Sequence, residues 1–229
     1  MGIDTQLRER FRDTRWSGPF GPKSAPKIPT AHRLFIQESL RSLELTASVF
    51  PSSRYLATAL LRPIDFWRTR TVVELGPGTG AVTGEILRRL GPDGKLFAID
   101  INQSFIDHLS GSCKDSRLIP VCGSATDLRS LLGRLNVGRI DAVVSSLGLT
   151  SMDHRTRTSI IREVCACLPT GGAMTQYQYV HACVGHLDIA RLKFSRFDEA
   201  RFLRRYFGDV TIGHVIRNFP PALVYTCRK

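Results

Sequence analysis

The sequence predicts an α/β fold: a doubly wound, mostly parallel sheet with an antiparallel C-terminal hairpin, preceded by N-terminal helices. Two observations carry this prediction. Through the middle of the chain, short apolar runs alternate with helical stretches, which is typical of a parallel sheet covered on both faces. Near the C-terminus, two further apolar runs are joined by a turn that contains two consecutive prolines, which predicts an antiparallel pair.

Residues 1–30 are predicted as a separate basic, Pro-rich segment ahead of a domain over residues 31–229. This segment holds four of the twelve prolines of the chain. Arginines surround its apolar Leu7, Phe11 and Trp16, as in short amphipathic segments that contact anionic bilayers. The alternative is a solvated tail.

Apolar residues at helical spacing predict a helix over residues 30–48 and a second helix from Tyr55 to Pro63, separated by a break at Pro51-Ser52-Ser53. The strands that follow are predicted over residues 71–75, 95–101, 117–122, 140–146 and 173–180. The helices between them are predicted over residues 80–90, 103–110, 125–134 and 154–168. The remaining elements are predicted as a helical region over 186–206 and strands over 209–217 and 222–227.

A glycine-rich loop is the strongest chemical signal. It follows the first strand and opens a helix, which is the context that a nucleotide-binding loop requires. Its residues are Gly76, Gly78, Thr79 and Gly80. The spacing G-x-G-x-G differs from the dinucleotide fingerprint, and Glu74 stands two residues before the first glycine. A carboxylate there would repel a pyrophosphate and attract a cation.

A second acid, Asp100, ends the second strand twenty residues after the loop. A carboxylate at this place can accept both hydroxyls of a ribose. A ligand that combines an adenosine ribose with a cationic amino-acid tail is S-adenosyl-L-methionine. The sequence therefore predicts this cofactor, with S-adenosyl-L-homocysteine as its product.

These residues resemble those of class I methyltransferases, which have a Rossmann-like fold, and within that class the bacterial phospholipid N-methyltransferases. The resemblance covers about residues 33–229. The segments that carry it are Pro51-Ser52-Ser53-Arg54, the glycine loop, Ala98-Ile99-Asp100-Ile101-Asn102, Val143-Val144-Ser145, Tyr177-Gln178-Tyr179 and Asn218-Phe219-Pro220-Pro221-Ala222. It implies that Ile101, Ser124, Ala125 and Ser145 join the cofactor site, and that Ser52, Ser53 and Asn218 contact the substrate.

The chain departs from the family at two loops. Gly123-Ser124-Ala125 stands where the family has G-D-A, so Ser124 or Asp127 must replace the acid that binds the adenine amino group. After the fourth strand, Ser145-Ser146-Leu147-Gly148-Leu149 stands for S-G-L-P-L, beside the transferred methyl group. This second departure leaves the acceptor open.

The resemblance implies methyl transfer to the head-group amine of a membrane lipid. Phosphatidylethanolamine, converted to its mono-, di- and trimethylated forms, is the first expectation, and an aminolipid such as ornithine lipid is the alternative. Two further readings are an RNA adenine N-methyltransferase and a non-catalytic lipid-binding module. The first is disfavoured because the loop after the fourth strand lacks the Asn and the aromatic residue that stack a flipped base. The second is disfavoured by the intact acids and glycines of the cofactor loop.

Candidate catalytic residues are Tyr177, Tyr179, Ser145 and His181. The two tyrosines share one strand face, where hydroxyls can accept N–H bonds and rings can stabilise a methylated ammonium. His181 continues on that face as a possible proton relay, and Ser145 ends a strand at the ligand crevice. Each of the tyrosines could instead be a core aromatic.

Arg54 and Arg217 are predicted to bind the lipid phosphate or carboxylate, because a guanidinium pairs bidentately with such oxyanions. The net charge of +12 fits either an anionic membrane surface or nucleic acid, and the family resemblance favours the membrane. No secretion signal or transmembrane stretch is recognisable, so a cytoplasmic protein at the inner face of the cell membrane is expected. No metal site is predicted, since the six cysteines lack ligand spacing. The sequence leaves the oligomeric state open.

Overall fold

The computed structural model describes residues 52–180, 186–188, 193–195 and 197–229. The predicted segment 1–30, the predicted helix over 30–48 and His181 lie outside these residues. For Ser52 and Ser53 only the backbone is described.

All the described strands except β6 and β7 follow the predicted pattern. They are β1 (Thr71–Leu75), β2 (Lys95–Asp100), β3 (Leu118–Cys122), β4 (Ala142–Ser145), β5 (Ala173–Tyr179), β6 (His186–Asp188), β7 (Lys193–Ser195), β8 (Asp209–Val215) and β9 (Ala222–Arg228). The described α-helices are α1 (Ser52–Leu61), α2 (Ala81–Arg89), α3 (Gln103–Ser112), α4 (Leu128–Arg134), α5 (His154–Cys167) and α6 (Glu199–Leu203). Short 3₁₀ turns cover Ala125–Asp127 and Leu149–Ser151.

Seven strands form one sheet in the order β3-β2-β1-β4-β5-β9-β8. The five strands from β3 to β5 are parallel, and their carboxyl ends therefore lie at one edge. The chain runs outward from β1 to β3 on one side and then resumes at β4 on the other side of β1. Ligands of open α/β sheets bind at such a switch point, so the fold predicts a site between β1 and β4.

The last two strands of the sheet are antiparallel, as predicted. β9 pairs antiparallel with β5 and with β8, so the turn between β8 and β9 lies beside the carboxyl end of β5. Tyr179 pairs with Ala222 at this end. The hairpin thus extends the sheet past β5 and brings a second loop to the edge where the parallel strands end.

Apolar side chains cover both faces of the sheet, as a parallel sheet with helices on each side requires. One face, with Val73, Val143 and Met174, packs under α5 and α6. The other face carries Val72 and Val144 under α2, and a smaller cluster under α1 includes both predicted tyrosines. No helix among the described residues is long and apolar enough to cross a bilayer.

Polar caps explain where several helices begin. Asn102 is the N-cap of α3, and its side chain accepts the N–H of Ser104. Asp153 accepts the N–H groups of Arg155 and Thr156 at the start of α5. Each cap satisfies amide groups that have no partner within the helix.

Two predictions of secondary structure are wrong. The region 186–206 is not one helix: β6 and β7 pair antiparallel, and α6 begins only after Asp198, whose carboxylate caps it. Apolar residues two apart in the stretch 186–195 fit a strand as well as a helix, and the cap fixes the start of α6. The predicted break at Ser52-Ser53 also shifts, because both residues belong to the first turn of α1.

Candidate active site

The predicted cofactor residues converge at the edge where β1, β2 and β4 end. Gly76 donates its N–H to the carbonyl of Ile99 on β2, at 2.9 Å between N and O. Ser146 donates to the carbonyl of Leu75, also at 2.9 Å, so the loop after β4 is joined to β1. The loops that follow the three strands therefore meet at the switch point of the sheet.

The glycine loop adopts backbone conformations that other residues rarely take. Gly76, Gly78 and Gly80 have φ angles of 72°, 54° and 89°. A Cβ atom at Gly76 or Gly80 would come within 3 Å of Leu147 or Leu109, whereas one at Gly78 would meet no atom within 4 Å. Gly78 thus exposes its backbone to open space, where a ligand can approach closely.

Glu74 is a fully buried acid directly beneath this loop. One of its oxygens, Oε2, accepts the hydroxyl of Thr83 at 2.7 Å, and the other, Oε1, has no hydrogen-bond partner. Burial raises the pKa of Glu74 to about 7, the Thr83 hydroxyl lowers it, and the nearby Asp100 raises it. A buried carboxylate with a free oxygen is stabilised by a cation, so the site favours a positively charged ligand.

Asp100 lies at the end of β2 and is held by backbone groups. Its Oδ1 accepts the N–H of Asn102 at 2.9 Å, and Oδ2 lies 3.4 Å from the amide nitrogen of Gly78. Burial raises the pKa of Asp100, and these backbone donors lower it in part. The two amides fix the carboxylate beside the glycine loop, in position to accept the hydroxyls of a ribose.

The residues present fit S-adenosyl-L-methionine. The unpartnered Glu74 oxygen matches its positive charge, the open side of Gly78 leaves room for its tail, and Asp100 matches its ribose. On the adenine side, Ile101 is half exposed and offers an apolar surface. The Ser124 hydroxyl accepts the N–H of Thr126 and caps the short 3₁₀ turn in which Ala125 lies.

Tyr177 and Tyr179 pack edge to face on β5, with ring centroids 5.3 Å apart and planes inclined at 74°. Both rings pack against the small apolar cluster that also includes residues of α1 and Val82 of α2. Burial is the main cause that raises the pKa of both phenols. Both phenols therefore stay protonated at neutral pH and cannot act as phenolate bases, and their hydroxyls are hydrogen-bonded to one another.

Ser145 is buried, and its hydroxyl lies 3.4 Å from the amide nitrogen of Leu147. Gln176, which pairs with Ser145 across β4 and β5, donates its side-chain amide to the carbonyl of Leu147 at 2.7 Å. Leu147 is thus held from two strands, while its side chain lies against Gly76. Ser145 has a bracing role in this loop, and its contact with substrate or cofactor stays a prediction.

The predicted substrate-binding residues lie around the start of α1 and the β8–β9 turn. Arg54 and Arg217 are both exposed, and the guanidinium carbon of Arg217 is 5.9 Å from the centre of the Tyr55 ring. Asn218 is buried, and its side-chain amide donates to the carbonyl of Pro220 at 2.6 Å. This bond gives Asn218 a part in shaping the turn. The structure thus brings Arg217 to α1.

Sequence reasoning missed the residues that support the site from behind. Thr83 holds Glu74, and Gln176 holds the loop after β4. Val82-Thr83 follows the glycine loop within the family resemblance, but the sequence gives neither Thr83 nor Gln176 a role in the site. Glu199 is also buried, and burial raises its pKa to about 8, while the Gln176 side chain and the charge of Arg157 lower it in part. In the sequence it resembles an ordinary acid in the first turn of an exposed helix. Only the packing of α6 on the sheet reveals its burial.

Comparison with known proteins supports the same assignment. A family model described as a methyltransferase domain matches residues 72–172. An ornithine lipid N-methyltransferase from Singulisphaera acidiphila is 29% identical over 199 residues, which are 85% of this chain and 94% of that protein. A ribosomal RNA small subunit methyltransferase H from Nitrosomonas europaea is 37% identical, but over 75 residues that cover 33% of this chain and 23% of the relative.

Solved structures share the fold at low sequence identity. A 1,6-didemethyltoxoflavin-N1-methyltransferase from Burkholderia thailandensis, with bound 1,6-didemethyltoxoflavin and S-adenosylhomocysteine, aligns with a TM-score of 0.61. The alignment covers 86% of each chain at 19% identity. It supports the fold, a class I methyltransferase-like α/β sheet.

Proposed function

We propose that this chain, a class I S-adenosylmethionine-dependent methyltransferase, methylates the head-group amine of an aminolipid, and that ornithine lipid is its acceptor. One observation carries the proposal. The similarity to the ornithine lipid N-methyltransferase covers 85% of the chain, well beyond the methyltransferase domain at residues 72–172. The similarity therefore includes segments outside the common cofactor-binding core.

The choice of acceptor differs from the first expectation, which was phosphatidylethanolamine. The relative named above supports the alternative, ornithine lipid. The loop Ser145–Leu149 also departs from the phospholipid N-methyltransferase pattern beside the reacting centre. An amino-acid head group offers an amine and a carboxylate but no phosphate, so a loop altered at this place is consistent with a different head group.

The cofactor supplies a methyl group that is already activated on a sulfonium sulfur. The chain must align the acceptor amine with it and exclude water. Glu74 and Asp100 would fix the two ends of the cofactor, by charge and by hydrogen bonds to hydroxyls. Leu147, held by Ser145 and Gln176, would form the wall between the cofactor loop and the acceptor.

The acceptor amine has an ordinary pKa near 10 and must lose a proton before it can attack. Tyr177 and Tyr179 stay protonated, so we assign them the orientation of the neutral amine and the stabilisation of the methylated cation by their rings. Arg217 and Arg54 are the proposed partners of the head-group carboxylate. The acceptor would then lie between the tyrosines and the arginines at the same end of the sheet.

We further propose that the enzyme acts in the cytoplasm at the inner face of the cell membrane, since its net charge of +12 complements an anionic surface. RNA is the rival polyanion. The ribosomal RNA methyltransferase named above matches only a third of the chain, and the loop after β4 contains neither Asn nor an aromatic residue. Both observations favour the lipid.

The test uses radiolabelled S-adenosyl-L-methionine and phosphatidylglycerol vesicles that carry equal fractions of either ornithine lipid or phosphatidylethanolamine. Total RNA forms a third arm. We expect labelled ornithine lipid, and no label when the lipid amine has been acetylated beforehand. Label in phosphatidylethanolamine alone would restore the first expectation, and label confined to RNA would disprove a lipid acceptor.

A further inference from the structure

The β8–β9 turn, residues 216–221, projects from the edge of the sheet where the candidate active site lies. β9 pairs antiparallel with β5, and Val180, just past β5, donates its N–H to the carbonyl of Pro221 at 2.8 Å. The turn is therefore joined to the strand that carries Tyr177 and Tyr179. Whatever binds the turn is brought next to these tyrosines.

Apolar side chains at this end of the molecule are exposed. Ile216 is 80% exposed and Phe219 is 70% exposed, and both lie in the turn. Seven large hydrophobic residues are exposed among the described residues, and four of them lie at this end. These four are Ile216, Phe219, Tyr55 and Val180. Single exposed apolar residues are ordinary, but a cluster of them marks an interaction surface.

The exposure of these side chains follows from the way the turn is braced. Asn218 is buried between them, where its side-chain amide bonds the carbonyl of Pro220 and its backbone N–H bonds the carbonyl of Val215. The polar residue thus points inward while Ile216 and Phe219 point outward. This inversion of the usual polar-out pattern is what an element that enters an apolar phase requires.

Two arginines lie at this end of the molecule. Arg217 lies between Ile216 and Phe219 in the sequence and close to the ring of Tyr55, and Arg54 is in the first turns of α1. Neither arginine has an ion-pair partner within the described part of the chain, and both are exposed. An exposed apolar tip that contains Arg217, with Arg54 on the neighbouring helix α1, complements an anionic lipid bilayer, whose phosphates lie above its acyl chains.

We propose that the β8–β9 turn inserts Ile216 and Phe219 into the acyl boundary of an anionic bilayer, with Arg217 and Arg54 at the level of the head groups. This inference rests on the proposed function, because it gives the lipid amine a route to the tyrosines without the lipid leaving the membrane. The inserted turn would set the depth and orientation of the site.

The test compares the full-length wild type with the double variant Ile216→Ser/Phe219→Ser in sedimentation with phosphatidylglycerol–phosphatidylcholine vesicles. Each substitution removes an apolar side chain whose transfer is worth about one power of ten in partitioning, so the double variant should bind about 100-fold more weakly. The double variant Ile216→Leu/Phe219→Leu keeps the apolar surface and should bind like the wild type.

Trp67→Ser is the matched control, since Trp67 is 95% exposed but lies ahead of β1, at the opposite edge of the sheet. It should bind like the wild type.

Activity separates this inference from the proposed function. The Ser double variant should lose methylation of ornithine lipid in vesicles, yet keep methylation of a short-chain ornithine lipid that is monomeric in solution. Unchanged vesicle binding of a correctly folded Ser variant, checked by circular dichroism, would overturn the insertion of the turn. If the wild type methylates ornithine lipid in neither form, the proposed function fails, while the binding comparison still decides whether the turn inserts.

Discussion

Replacing Glu74 by Gln tests the electrostatics of the cofactor site directly. Glu74 is fully buried, and its pKa is raised from 4.5 to about 7, chiefly because burial disfavours the charged form. This rise in the pKa corresponds to a free-energy difference of about 3 kcal/mol between the protonated and the ionised form of Glu74. Ionising Glu74 in the folded protein therefore costs a free energy that is a large fraction of an ordinary free energy of unfolding.

The sign of the pH dependence follows from the raised pKa. A group with a higher pKa in the folded state stabilises the protein below its unfolded pKa, and this stabilisation is lost as the pH rises through the folded pKa. Without cofactor, the wild type should thus lose about 3 kcal/mol at this residue between pH 4.5 and 8. Glu74→Gln has no such titration, so relative to the wild type it should gain stability over that range by the same amount.

The cofactor reverses this balance. A cation beside the free Oε1 oxygen favours the carboxylate, so binding to the wild type should release a proton near neutral pH and should strengthen as the pH rises through 7. Binding to Glu74→Gln should be weaker and independent of pH in this range. S-adenosyl-L-homocysteine lacks the sulfonium but keeps the ammonium. The same behaviour with both ligands would assign Glu74 to the ammonium.

Urea unfolding at several pH values measures the first effect, and titration calorimetry in buffers of different ionisation enthalpy measures the second by counting released protons. Asp93→Asn serves as the control, because this side chain is 84% exposed and its loss removes the same charge from the surface. Glu199 titrates in both the wild type and the variant, so its contribution cancels in the difference. A stability difference between Glu74→Gln and the wild type that does not change with pH would refute the reasoning.

Three further substitutions test the rest of the site. Asp100→Asn should weaken cofactor binding about 10- to 100-fold, by calorimetry, because charge-assisted hydrogen bonds are lost; an unchanged Kd would remove Asp100 from the cofactor site. Gly78→Ala should change the free energy of unfolding by about 1 kcal/mol, because space for the Cβ atom is free but φ is positive. The same substitution should abolish cofactor binding. Gly84→Ala within α2 is the control and should bind the cofactor normally. Tyr177→Phe should lower kcat about tenfold with an unchanged cofactor Kd and pH profile, because in the proposed mechanism the phenol orients the amine and stays protonated. A shifted pH profile would contradict this role.

Much of the fold was predictable because the parallel strands are buried on both faces and so appear as continuous apolar runs. β1 has the predicted bounds, and β5 differs from its prediction by one residue. The acids Glu74 and Asp100 were predictable for a related reason. The carboxyl ends of adjacent parallel strands meet, so two acids that end such strands must face one ligand site.

The remaining features depend on contacts that the sequence pattern does not encode. Thr83 lies nine residues from Glu74 and approaches it only because α2 turns back over β1. Glu199 appears in sequence as a surface acid, and the packing of α6 against the sheet buries it. The β6–β7 pair lies in a region where the sequence pattern predicts a helix, because short apolar runs satisfy the periodicities of both helix and strand. Local pattern identified the strands, whereas tertiary packing decided which polar residues are enclosed.

Leu147 has a consequence for any attempt to redesign this protein. Its side chain lies against Gly76 of the cofactor loop, while its backbone is held by Ser145 and by Gln176. The segment that we propose to face the acceptor therefore cannot be exchanged without altering its neighbours. Grafting residues 145–149 from a homologue with another substrate preference would alter the packing under the cofactor as well, unless position 176 and the contact with Gly76 are transplanted together. Acceptor preference and cofactor affinity must in this chain be engineered as one unit.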